Sequence, residues 1–218
     1  MSRLTERLLS LFYPPKCPFC ARVLEQGEDG LCRNCQPALP WVREDAGARA
    51  VEHCAACLSP LWYQDGVRQG VHRYKFQGGQ VHARLFGALM AQCLQDRWRE
   101  PVDLITWVPL SRQRLRQRGY DQAELLARRV GEVTGLPVAP TLVKIRNTRA
   151  QSRLNQTDSR AANIRGAYAV EEGLRLTGRR VVLVDDVVTS GATLSQCAAC
   201  LRAAGASSVI ALTLARAR

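Results

Sequence analysis

The stretch VVLVDDVVTSGAT at residues 181–193 decides how the rest of the chain is read. From Arg180 to Val188 it is a near-continuous apolar run, the pattern of a strand buried on both faces of a parallel sheet. The run delivers two adjacent carboxylates, Asp185 and Asp186, to its carboxyl end, which is where open parallel sheets bind ligands. Thr189, Ser190, Gly191, Ala192 and Thr193 then turn into a helix. Gly191 lets the backbone approach a ligand closely, and its hydroxylated neighbours add donors. The amides and the dipole of a helix start favour an anion. Carboxylates beside a bare phosphate would repel it, so the arrangement makes sense if a sugar's hydroxyls lie over the acids and its 5′-phosphate lies in the turn. The plainer alternative is a strand ending in a polar turn and a capped helix, which leaves the paired acids without a role.

Periodicity extends outward from this stretch. Residues 193–204 predict a helix with Leu194, Cys197, Ala198, Leu201 and Ala204 on one side, stopped by Gly205, and residues 208–214 predict a final strand. Upstream, VDLITWVPL at 102–110 reads as a buried strand, 123–133 as a helix with Ala123, Leu126, Ala127 and Val130 on one face, and 81–96 as a helix carrying Leu85, Leu89 and Cys93. Short strands are expected at 141–145 and 167–170. The alternation of strands and helices predicts an α/β fold with a parallel sheet flanked by helices. The polar stretch at 146–165 is too long for a simple connection, and loops of that size are usually functional or disordered.

The chain has 218 residues, enough for one α/β domain plus a small module. Apolar residues make up 46% and aromatic residues only 6%, which favours alternating buried strands and helices over an aromatic binding sheet. Lys and Arg number 31 against 19 Asp and Glu, a net charge of +12. That balance suits phosphates, pyrophosphate or nucleic acid, although a solvated basic surface would look the same. The first fifteen residues read as an amphipathic helix ending at Pro14 and Pro15, interrupted by Arg3, Glu6 and Arg7, and not as a secretory signal. No stretch approaches the roughly 20 apolar residues of a membrane span. A cytoplasmic protein with no membrane partner is expected.

Of nine cysteines, eight fall in CxxC pairs: Cys17 and Cys20, Cys32 and Cys35, Cys54 and Cys57, Cys197 and Cys200. A large core and no export signal favour metal binding over disulfides. Cys17-x2-Cys20-x11-Cys32-x2-Cys35 has the spacing of a zinc ribbon, in which two knuckles complete a closed tetrahedral site. Cys54 and Cys57 form a third knuckle without an obvious partner. It could be vestigial, could replace one of the earlier pairs, or could take its missing ligands from His53 and His72. Cys93, Cys197 and Cys200 read as small core residues. Residues 1–62 are therefore assigned to an N-terminal helix and zinc ribbon, and 63–218 to the α/β domain.

A second basic segment, WVPLSRQRLRQRGYDQAELLA at 107–127, follows a strand and opens a helix. Read as an extended loop, it points Arg112, Arg114, Arg116 and Arg118 the same way. Guanidinium groups bind pyrophosphate oxygens bidentately; a solvated basic loop is the alternative.

These motifs together carry a resemblance. The segment 181–193 resembles the phosphoribosyl pyrophosphate (PRPP) signature of type I phosphoribosyltransferases. The segment RGYDQAEL at 118–125, with Asp121 where Asn is usual, resembles the ComF/GntX family of phosphoribosyltransferase-like proteins. The resemblance extends to YKFQG at 74–78, to the cysteine module, and to Arg146, Thr148, Gln151, Leu154, Arg160 and Asn163. It implies a type I phosphoribosyltransferase fold, with a hood over the site at 146–170, plus the zinc ribbon. It implies that Asp185 and Asp186 are the catalytic-site acids holding the ribose hydroxyls, that PRPP lies along Asp185, Asp186, Val187, Val188, Thr189, Ser190, Gly191, Ala192 and Thr193, and that Mg²⁺ accompanies it. Thr189 stands where purine-specific enzymes of the class carry an Asp, so a purine acceptor loses support. The expected activity is phosphoribosyl transfer from PRPP to an unnamed acceptor, with release of pyrophosphate and a link to natural transformation. The alternative is a PRPP-responsive adaptor that handles single-stranded DNA or meets a helicase-like partner. Aromatic platforms for base stacking are sparse.

Overall fold

The computed structural model describes residues 14–43, 49–145 and 166–218. The N-terminal helix expected before Pro14, and the hood positions Arg146, Thr148, Gln151, Leu154, Arg160 and Asn163, lie outside the described residues. The elements in chain order are α1 (Cys35–Ala38), β1 (Ala56–Leu58), β2 (Leu61–Trp62), α2 (Asp65–Phe76), a 3-10 turn (Gly79–His82) and α3 (Ala83–Arg97). Next come β3 (Leu104–Trp107), α4 (Arg112–Arg118), α5 (Gln122–Thr134), β4 (Leu142–Lys144) and β5 (Tyr168–Val170). The last are β6 (Arg180–Val188), α6 (Ala192–Ala203) and β7 (Ser208–Arg216).

The main sheet runs β1-β7-β6-β3, with β2 also on β7, and every pairing in it is parallel. The central position of β6 follows from its composition: residues 181–184 are fully buried, so the strand has apolar partners above and below. Side chains alternate across a strand. Val182 and Val184 pack in a cluster with Tyr74, Phe86, Met90 and Leu126 from α2, α3 and α5. Val181 and Leu183 pack in a second cluster with Leu194, Cys197 and Leu201 of α6. The sheet is thus covered on both faces, and burying each such side chain contributes about 1.5–3 kcal/mol. β4 and β5 form a separate antiparallel pair; they are the strands expected near 141–145 and 167–170. Among the described residues no helix is long and apolar enough to cross a membrane.

Two expectations change. Residues 56–58 and 61–62, assigned from sequence to the cysteine module, form strands on the edge of the main sheet, with Cys57 opposite Ala211 and Leu61 opposite Ala215. Strands of three and two residues are too short to show a period. The Arg-rich segment is not extended but helical. Ser111 Oγ accepts the Arg114 amide at its start, and Gly119 closes it in the left-handed region, φ 79°.

Candidate functional site

A cleft opens at the carboxyl end of β6. It is lined by the whole run from Asp185 to Leu194, by Lys75, by Arg114 and Arg118, and by Lys144 and Tyr168. The strand brings the two acids there, but each meets a different neighbour. Asp186 Oδ1 is 2.8 Å from Lys75 Nζ, at the end of α2. Asp185 accepts the Asp186 amide through Oδ1 at 2.8 Å. Burial, and then the charge of Asp186, push the Asp185 carboxyl above the usual carboxylate range, against the pull of Lys75. Two adjacent carboxyl groups with one lysine beside them can accept hydrogen bonds from a ligand's hydroxyl groups.

After Val188 the chain turns. Thr189 and Ser190 are exposed and Gly191 is buried at the N-cap of α6 with φ 81°. A side chain there would be strained by that angle, and its Cβ would lie 3.1 Å from Val51 Cγ2. The amide of Ala192 faces Ser190 Oγ at 3.4 Å, a weak contact. The first turn of this helix offers no acidic residue and no side-chain cap, so its amides remain available to an anion.

Because the Arg-rich segment is a helix, its arginines divide. Arg114 and Arg118 are one turn apart, half-buried, and line the cleft, while Arg112 and Arg116 are exposed and do not line it. Arg118 lies over the Phe76 ring, 4.7 Å from its centre, and donates to Gln122 Oε1 at 2.5 Å. Asp121 caps α5 by accepting the Ala123 and Glu124 amides, and also accepts the Leu110 amide at 2.8 Å, which fixes the approach of β3 to the Arg helix.

Lys75, Lys144 and Tyr168 are among the cleft side chains that the sequence pattern did not single out as site residues. Lys75 lies within the YKFQG segment, noticed only by its resemblance. Lys144 and Tyr168 face each other across the β4–β5 pair, with Lys144 Nζ donating to Tyr168 Oη at 3.0 Å. Burial, followed by the charge of Arg114, lowers the proton affinity of Lys144. Burial, with Cys197 and Asp185 behind it, raises that of the Tyr168 phenol. An isolated Lys and Tyr on three-residue strands carry no sequence signal.

Away from the cleft, the ligand atoms of Cys17, Cys20, Cys32 and Cys35 lie within 4.8 Å of one another. Cys20 Sγ and Cys32 Sγ are 3.6 Å apart. A tetrahedral site with zinc–sulfur bonds of about 2.3 Å has sulfur–sulfur edges of about 3.8 Å, so the residues fit a closed all-thiolate metal site. Without a metal the four thiols share their protons unevenly: against the effect of burial, the Cys35 amide and neighbouring thiols pull the Cys32 thiol down, while burial pushes those of Cys20 and Cys35 up. Cys54 and Cys57 are not part of the cluster. Burial pushes their thiols up to about 12 and about 11, and Cys57 sits in the sheet. His53 and His72 are exposed and outside the cluster too. Cys93 and Cys197 are buried as expected, and Cys200 is half-buried, its thiol donating to Tyr168 O at 3.4 Å.

A parallel sheet covered on both faces, with an acid pair and a glycine turn at the carboxyl end of its central strand, defines a phosphoribosyltransferase-type domain; the phosphoribosyl transferase domain family matches residues 115–218. Over almost the whole chain, the protein is 29% identical to "Competence protein F" of Haemophilus influenzae, covering 94% of this chain and 99% of that one. It is 30% identical to "DNA utilization protein YhgH" of Salmonella typhi (88% and 86%), and 27% identical to "Competence protein ComFC" of Bacillus subtilis (92% and 77%). The chain belongs to the ComF family, phosphoribosyltransferase-like proteins with an N-terminal cysteine module.

Proposed function

We propose that the cleft binds PRPP and that the protein transfers its phosphoribosyl group to an acceptor. The observation that carries this reading is the meeting, in one cleft, of Asp185 and Asp186, the Gly191 turn, and the Arg114 and Arg118 pair. The acids accept the ribose hydroxyls. The turn from Thr189 to Thr193 receives the 5′-phosphate at the start of α6. Arg114 and Arg118 receive the pyrophosphate. In the reaction the C1′–oxygen bond to pyrophosphate breaks, a bond from the acceptor to C1′ forms, and the acceptor loses a proton. The transition state has oxocarbenium character, and the guanidinium groups stabilise the charge that develops on the departing pyrophosphate. Mg²⁺ bound together with PRPP would supply further neutralisation of the leaving group. Zinc on Cys17, Cys20, Cys32 and Cys35 is structural in this reading, since four thiolates leave no position for water.

The relatives' names place them in competence and DNA utilization. A cytoplasmic role in handling imported DNA extends that context to this chain. A PRPP-responsive adaptor that binds single-stranded DNA, or a helicase-like partner, is the second reading, and the net charge of +12 favours it over a neutral surface. The test is incubation with PRPP and Mg²⁺, with and without nucleobases or single-stranded DNA, while pyrophosphate release is followed. The enzyme reading expects acceptor-dependent release. Tight PRPP binding without release under every acceptor condition favours the adaptor.

A further inference from the structure

Helix α2 touches two distant features at once. Gly66, Gly70 and Arg73 lie along one face of it, four and three residues apart. A Cβ on Gly70 would lie 3.0 Å from Pro18 O and 3.1 Å from Phe19 Cδ1, and one on Gly66 would lie 3.4 Å from Phe19 O. Arg73 donates to Pro18 O through Nε at 3.0 Å and through Nη2 at 2.7 Å, and to Phe19 O through Nη2 at 2.7 Å. Pro18 and Phe19 are the two residues between Cys17 and Cys20, so this face of the helix is seated directly on a metal knuckle. Lys75, two residues beyond Arg73, is about 200° further round the helix. It projects from the opposite face into the cleft, where its ammonium reaches Asp186 at 2.8 Å.

We propose that Lys75 positions Asp186 for the ribose, and that the four-cysteine centre positions Lys75 through Arg73, so that metal binding and ribose binding strengthen each other. This rests on the reading of the acids as a ribose site and of the cysteines as a metal site. Lys75 engages one carboxylate oxygen of Asp186 and leaves the other for a hydroxyl donor. Its charge also opposes the mutual repulsion of the two acids. A lysine on a long flexible stem holds such a place only if its helix is fixed. Burial of Val67, Val71 and Tyr74 holds the helix to the core, and the knuckle carbonyls, whose geometry a bound metal would set, add the contacts at Arg73. Gly70 permits this approach, because a methyl group there would press against Pro18 O.

The test uses the full-length zinc-loaded protein and two probes, ribose 5-phosphate and PRPP with Mg²⁺. Lys75→Met is expected to weaken both probes by a similar factor, about tenfold or more, because both carry the ribose. Lys75→Arg should recover part of that loss. Arg73→Met should weaken both probes with Asp185 and Asp186 intact. Linkage is reciprocal. In the wild-type protein, saturating ribose 5-phosphate should therefore raise zinc affinity, read by chelator competition, by about fivefold or more, and Arg73→Met should remove that gain. The wild-type zinc measurement needs no variant to fold. Zinc affinity indifferent to ribose 5-phosphate would overturn the coupling. Unchanged probe affinity in Lys75→Met, at wild-type metal content and circular dichroism, would overturn the role of Lys75. A wild-type protein that binds neither probe would refute the ribose reading itself, which is a different result from a wild type and variants that all bind alike.

Discussion

The two ends of the central strand treat charge in opposite ways. At its amino end, Arg180 makes a two-pronged pair with Asp103, Nε to Oδ2 at 2.9 Å and Nη2 to Oδ1 at 2.8 Å, and the Arg180 amide adds a third bond at 2.8 Å. Those bonds from Arg180 hold the Asp103 carboxyl well below the usual carboxylate range. At the carboxyl end, burial drives Asp185 the other way, and a single lysine ammonium bonds Asp186. The first acid closes on its partner and staples β6 to the end of the sheet. The second pair is left with oxygens facing a cleft. Similar chemistry therefore closes on itself at one end and stays open to a cleft at the other.

The comparison breaks first at the Arg helix. Arg114→Ala and Arg118→Ala are each expected to weaken PRPP binding by about tenfold to a hundredfold, since each removes a charge-assisted contact of about 1.5–3 kcal/mol. Ribose 5-phosphate, which lacks the pyrophosphate, should bind these variants as it binds the wild type. Arg112→Ala and Arg116→Ala, exposed and outside the cleft, should change neither affinity. If instead the pair weakens single-stranded DNA binding and lowers its salt dependence by about 0.7 in log–log slope per contact while PRPP affinity holds, this end of the sheet is a nucleic-acid surface.

A smaller effect sharpens the comparison through pH. Asp103 has a folded pKa below its unfolded value, about 3.9. Its contribution to stability is therefore complete above that value and is lost as pH falls towards the folded one. Asp185 has a raised folded pKa, so the sign reverses. Its contribution is complete below about 3.9 and is lost as pH rises towards the folded value. Melting temperatures between about pH 3 and pH 8 should show Asp103→Asn destabilised most where the wild type keeps its carboxylate, with ligand affinity unchanged. Asp185→Asn should flatten the fall in stability on the way to neutral pH and leave the ligand-free protein slightly more stable at pH 7. Activity and stability would then be opposed at one end of β6 and independent at the other.

How much of this was legible in the sequence follows the same division. The strand at 180–188, its acids and the turn at Gly191 were readable because a buried parallel strand announces itself by an unbroken apolar run. The four-cysteine cluster was readable from ligand spacing. Helix α2 was not foreseen, although Val67, Val71 and Tyr74 recur at helical spacing. Gly66 and Gly70 mask it locally, and at Gly70 the helix lies too close to Pro18 and Phe19 for a side chain to fit without displacement. The Arg segment was misread as extended despite Ser111 and Gly119 flanking it as caps, because four alternating arginines suggest a strand period when the caps are ignored. Lys75, Lys144 and Tyr168 reach the cleft from three separate elements, and only the tertiary fold brings them together.

The most direct measurement of the central claim is calorimetric titration of ribose 5-phosphate and of PRPP with Mg²⁺ into the wild-type protein and into Asp185→Asn combined with Asp186→Asn. Both ligands are expected to bind the wild type saturably, one per chain, and neither is expected to bind the doubly substituted protein, whose fold and metal content stay intact. Equal affinity in the two proteins, or no binding to the wild type, would contradict the assignment of this cleft to a phosphoribosyl ligand.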